Sequence, residues 1–213
     1  MCGQLVRRMA LSADTLFGPE DAAKFRQRVD QHSEDQLHAP LTVGLSRLLP
    51  SAKGDGLDDP QTRDGVLRTA IQQEKDVFAH GSLAAELVRV GLPANLKFLK
   101  EQFFAEKDSS WSPDMRVSIL QELGRAPLTA AKREALADLL LDERFRVLWM
   151  ESSHYMGDGT HRQYAIPAVN AHLGRQAITY VDEQNLSEPQ RAGRALLEVL
   201  ERVKELKSPT TRE

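Results

Sequence analysis

Apolar positions recur at steps of three and four along most of the chain. The clearest stripe is Ala192, Ala195, Leu196, Val199, Leu200, Val203 and Leu206. That spacing places one apolar face on a helix. Ser187 precedes it as an N-cap, with Pro189 in the first turn and Gln190 at the third helical position, a capping-box arrangement. Ala137, Leu140, Leu141, Phe145 and Leu148 form a second stripe, and Leu96, Leu99 and Phe103 a third. Leu67, Ala70, Ile71, Val77 and Phe78 predict a fourth, continuing into Leu83, Leu87 and Val90 after a break at Gly81. No alternating, β-branched run is long enough to propose a sheet. The pattern predicts an all-α fold.

Breaks between stripes are also legible. Asp59-Pro60 and Ser112-Pro113 each pair a capping residue with a proline suited to a first helical turn, and Gly18-Pro19 resembles them. Residues 49–60 (LPSAKGDGLDDP) and 106–113 (EKDSSWSP) are loops by composition. The tail KSPTTRE should fray.

Four segments can be laid over one another: LTVGLSRLLP (41–50), LAAELVRVGLP (83–93), VSILQELGRAP (117–127) and AVNAHLGRQA (168–177). Their anchoring leucines, Leu48, Leu87, Leu123 and Leu173, are spaced by 39, 36 and 50 residues. Through ILQELGR and AVNAHLGR the chain resembles HEAT-like helical repeat proteins. The resemblance implies antiparallel helix pairs stacked into a short α-solenoid, whose units bury their apolar stripes only against neighbours. On that basis residues 1–58 are expected to form an irregular helical cap, 59–206 the repeats and 207–213 a disordered tail.

The interval from Leu123 to Leu173 is too long for a helix pair. With LTAAKREALADLLLDERFRVLWM taken as one helix and AIPAVNAHLGR as its partner, the surplus falls on ESSHYMGDGTHRQY. Asp158-Gly159 suits a hairpin turn. Alternatively Thr160 caps a helix, with Gln163 as box partner and Pro167 imposing a kink. Insertions within a repeat often map to its binding face. His154, Tyr155, Asp158, His161, Arg162 and Tyr164 are therefore the expected partner-binding residues, with tyrosine and arginine the types enriched at interface centres.

Composition narrows the function. The 213-residue chain carries a net charge of −3, which disfavours non-specific grip on nucleic acid. One cysteine, Cys2, excludes an intrachain disulfide and fits a reducing, cytoplasmic setting. No run of about 18 apolar residues exists, so no membrane span is expected. His154 and His161 stand seven apart, neither one helix face nor a recurrent zinc spacing, so no metal or cofactor is expected. The opening Met-Cys-Gly resembles the start of N-terminal-nucleophile amidotransferases. Those enzymes continue into strands, whereas QLVRRMALSADTLFG reads as a short helix and a loop, and Cys2 is given no role. The chain is also similar in outline to HEAT-like alkylpurine DNA glycosylases. That resemblance implies a catalytic set of Trp111, Asp114 and Arg146 (or Arg144), with the carboxylate stabilising oxocarbenium-like charge. Against it, Asp114 suits a helix's first turn and Trp111 the position before its cap. The favoured expectation is a protein that binds another protein without catalysis, for instance an inhibitor or immunity-type protein. A DNA-base-processing enzyme is the alternative.

Overall fold

The computed structural model describes residues 18–31, 34–52, 56–74, 77–105, 115–151, 160–178 and 189–207. They form ten α-helices and one 3-10 turn, and no strand occurs among the described residues. The chain divides into two compact units, Met1–Leu83 and Ala84–Glu213.

The first unit contains α1 (Pro19–Gln31), α2 (Glu34–Ser46), the 3-10 turn Gly56–Asp58, α3 (Arg63–Gln73) and the beginning of α4 (Val77–Val90). Helix α1 starts at Pro19, as the Gly18-Pro19 pair predicts, and the Ala22 N–H donates to the Gly18 carbonyl. Asp59-Pro60 does not start a helix. The Asp59 carboxylate folds onto the Gln61 N–H, making a tight turn of Asp59–Gln61. Thr62 caps α3 instead, accepting from the Gly65 N–H. The turn lies so close to α3 that a Cβ on Gly65 would overlap the Asp59 carbonyl. Asp64, fully buried, accepts from the Ala52 N–H at 2.6 Å and ties the preceding loop down. Helix α2 packs on α3. Leu48 is 74% exposed in the turn after α2 and is not a core anchor.

The predicted break at Gly81 is absent, for α4 runs through it from Val77 to Val90. A glycine inside a helix costs roughly 0.5–1 kcal/mol against alanine, and burial of Leu83, Ala84, Leu87 and Val88 offsets it. The chain breaks earlier, where Glu74 turns extended after α3.

The second unit contains the end of α4, α5 (Pro93–Ala105), α6 (Met115–Leu123), α7 (Ala130–Leu140), α8 (Glu143–Glu151), α9 (Thr160–Leu173) and α10 (Pro189–Lys207). Helix α5 packs on α7, α7 on α10, and α6 on α9. Pro93 through Glu101 of α5 line one groove with Ala131 through Asp138 of α7, Lys100 pairs with Asp142 just past α7, and Lys207 ending α10 pairs with Asp138 near the end of α7. Helices α5, α7 and α10 therefore run in the same direction. So do α6 and α9, because His172 near the end of α9 meets Leu123 at the end of α6. The predicted stripe on α10 is buried from Ala195 through Leu196, Val199, Leu200 and Val203 to Leu206. Leu96, Leu99 and Phe103 of α5 are buried as the spacing requires, and Phe103, Phe145 and Trp149 make a continuous aromatic run in the core.

Residues 128–150 are not one helix. Asp142 divides them, accepting from the Arg144 N–H as the residue before α8, while Thr129 caps α7. Three helices, α7, α8 and α9, thus occupy the 50 residues between Leu123 and Leu173. A short extra helix, α8, accounts for part of the surplus. Residues 160–173 are helical through Pro167, which agrees with the capped-helix alternative and excludes a hairpin there. Gly174 follows at φ +65°, the left-handed conformation that closes a helix. The predicted caps Ser187 and Ser112 lie outside the described residues.

Candidate functional site

The expected contact residues are only partly visible. His154, Tyr155 and Asp158 fall in 152–159, outside the described residues, as do the side chains of His161 and Arg162. Tyr164 is half-buried in the second turn of α9. Trp149 is fully buried against Phe145. Of the glycosylase-like set, Trp111 and Asp114 are also outside the described residues. Arg146 is exposed on α8. Among the described residues no group of three His, Cys, Asp or Glu side chains could hold a metal ion, and no helix is long and apolar enough to cross a membrane.

The described residues do build a concave surface, a groove of about 330 Å³ between α5 and α7. Its floor comes from Leu96 of α5 and from Ala131 and Ala135 of α7, four residues apart and so on one helix face. Charged side chains form the rim, and most are already paired. Lys100 reaches the Asp142 carboxylate at 2.9 Å and the Asp138 carbonyl at 3.0 Å. Asp138 pairs with Lys207. Glu101 receives two hydrogen bonds from Arg144, whose guanidinium also binds Asp142 and stacks over Phe104 at 4.1 Å. The Arg144 hydrogen bond, with Lys100 helping, holds the Asp142 carboxyl far below the usual carboxylate range, and Arg144 likewise lowers Glu101. Two rim charges remain without an ion pair among the described residues: Lys97 on the α5 wall and Glu134 on the α7 wall.

A second polar cluster lies at the end of α6, where ILQELGR gives way to the next turn. Arg89 grips the buried Glu122 carboxylate through two nitrogens, at 2.9 and 3.0 Å, and reaches buried Glu86 at 3.1 Å. The Glu122 hydrogen bond raises the Arg89 pKa further. Buried Lys132 donates to the carbonyls of Glu122 and Arg125. Burial lowers its pKa, opposed by the Glu122 charge. The His172 ring donates through Nε2 to the Leu123 carbonyl, and burial, with Arg133 and Lys132 nearby, lowers its pKa. These groups satisfy the last carbonyls of α6, which a helix leaves unpaired. Gly124 completes the junction: a Cβ there would stand 2.7 Å from the Ala168 Cα. Each of these polar groups has a structural partner among the described residues, so the chemistry shown here serves packing.

Sequence reasoning missed the groove. The signals were present as Ala131 and Ala135 four apart, and as the charges Lys97, Lys100 and Glu101 flanking Leu96 on the same helix. Comparison with family models, curated proteins and solved structures returned no match.

Proposed function

We propose that this chain is a HEAT-like α-helical repeat that binds another protein and does no chemistry of its own. Two ranks of like-directed helices support this reading. Helices α5, α7 and α10 lie in one rank and α6 and α9 in the other, the arrangement expected when helix pairs stack into a short solenoid. Helix α8 is then an addition to one repeat. The observation that carries the binding reading is the groove between neighbouring first-rank helices, with an apolar floor and opposed unpaired charges on its walls. Apolar centre and polar rim are the anatomy of a protein contact. An inhibitor or immunity-type protein that occludes a partner is one concrete form, in a cytoplasmic setting that suits a single cysteine. His154, Tyr155, Asp158, His161, Arg162 and Tyr164 are the candidate partner-binding residues outside the groove.

The test compares proteins captured from the source cell by wild type, by Ala135→Trp, which fills the groove, and by a deletion of 152–159. A partner lost with Ala135→Trp is the expected result. The same partners recovered in the same amounts with both variants would reject both surfaces.

A further inference from the structure

We propose that the α5–α7 groove receives helix α10 of a second copy of this chain, in a head-to-tail contact. Helix α10 buries Leu196, Val199 and Leu200 against its own unit but leaves Leu197 58% exposed. Arg194 precedes Leu197 by three residues and Glu201 follows it by four, so all three share one exposed helix face. Neither Arg194 nor Glu201 has an ion pair among the described residues.

The groove is complementary to that face. Its floor is small where Ala131 and Ala135 lie, and its two unpaired charges, Lys97 and Glu134, are opposite in sign and on opposite walls. Arg194 and Glu201 are seven residues apart, about 10.5 Å along a helix at 1.5 Å per residue. Packed helix axes stand about 8–10 Å apart. A helix lying across α5 and α7 therefore brings Arg194 to Glu134 and Glu201 to Lys97, with Leu197 above the alanines. Within one chain this cannot occur, because α10 already packs on α7 through its buried face. The two surfaces differ, so the contact is heterologous and propagates into open chains unless its rotation closes a ring.

The inference rests on the groove being a contact surface, and it is tested by sedimentation velocity of the full chain from about 10 µM to 1 mM, the range in which so small a contact should register. Wild type should sediment faster with rising concentration. Leu197→Asp, which lacks the knob, and Ala135→Trp, which lacks the hole, should each stay monomeric. Their equimolar mixture should form one-to-one dimers and nothing larger. Lys97→Glu should weaken association at least tenfold, and adding Glu201→Lys should restore it. Leu197 is exposed and its replacement leaves the core intact; should Ala135→Trp not fold, Glu134→Arg serves as the groove variant. A monomeric wild type at the highest concentration overturns the proposal, as does association unchanged in either single variant or a mixture that stays monomeric. If wild type is monomeric yet Ala135→Trp loses a captured partner, self-association fails and the protein-binding reading stands. If self-association passes every test and no captured protein depends on the groove, the reverse holds.

Discussion

Gly124→Ala tests what the repeated Leu-Gly signature does. Gly91 and Gly174 are the described glycines with positive φ, so Gly124 has a backbone that alanine adopts without strain. On entropy alone the substitution would stabilise by about 0.4–1 kcal/mol through the unfolded chain. The new Cβ, however, would sit 2.7 Å from the Ala168 Cα and 2.8 Å from its Cβ. Carbon atoms pack at about 3.5–4.0 Å, so α6 and α9 must separate by close to an ångström, at the roughly 1–3 kcal/mol of an overpacked core. At the midpoints of these ranges the steric cost wins, and a net loss of about 1.3 kcal/mol is expected. Gly174→Ala isolates the opposite cause: nothing lies within 4 Å, and φ is +65°. Its cost, about 1–2 kcal/mol, comes from backbone conformation alone. The assay is urea unfolding followed by Trp149 fluorescence in a Trp111→Phe background, with the m-value unchanged. Ala168→Gly should relieve Gly124→Ala in part, since the α9 backbone still crowds the new methyl, giving a coupling of at least about 0.5 kcal/mol. It should do nothing for Gly174→Ala. A neutral Gly124→Ala, or strict additivity with Ala168→Gly, would refute the close approach of α6 and α9.

Lys132→Met keeps the buried stem but removes both hydrogen bonds to the α6 carbonyls, and should cost about 1.5–3 kcal/mol in the same unfolding assay. His172 makes stability depend on pH. Its folded pKa lies below the ordinary 6.5, so the unfolded chain binds the proton more readily. Its contribution is complete above about pH 6.5 and is lost as pH falls through that value toward the depressed one. Thermal melts should show His172→Gln with a shallower decline over that window than wild type. Asp142 acts lower on the scale, because its depressed carboxyl favours folding above pH 3.8 and loses that contribution as pH falls further. Asp142→Asn should flatten the acid limb of the same melts. In the first unit, Gly65→Ala would drive a Cβ into the Asp59 carbonyl and should cost about 1–3 kcal/mol by circular dichroism melts.

Periodicity made the helices legible because burial obeys it. The stripe on α10 is buried from Ala195 to Leu206, and Leu96, Leu99 and Phe103 point inward. Local chemistry was harder to weigh. Asp59-Pro60 reads as a helix start, yet an aspartate can satisfy a turn N–H as well as a helical one, and Thr62 three residues on competes successfully for the cap. Arg202 shows the same limit: Glu198 lies at the favourable four-residue spacing, but Arg202 bonds Glu205, which Arg175 also engages from the turn after α9. Tertiary neighbours choose among locally equivalent partners, and one sequence cannot display them.

The extra helix α8 shows why a signal can be present and still be misread. Ala137, Leu140, Leu141, Phe145 and Leu148 keep a helical period across Asp142, so the stripe alone argues for one helix. Asp142 followed by Glu143 is equally a cap followed by an acidic first turn. The two readings differ in energy by what Asp142 can bond. Mid-helix, its carboxylate would compete with the backbone for hydrogen bonds. At the break it accepts from the Arg144 N–H, the Arg144 guanidinium and the Lys100 ammonium together. Lys100 comes from α5, far back in the chain, and it also donates to the Asp138 carbonyl near the end of α7. Arg144 is a local partner, but only with α5 beside α7 does the cap gain its second cation, Lys100. The same packing opens the groove, so the misread break and the missed surface have one cause.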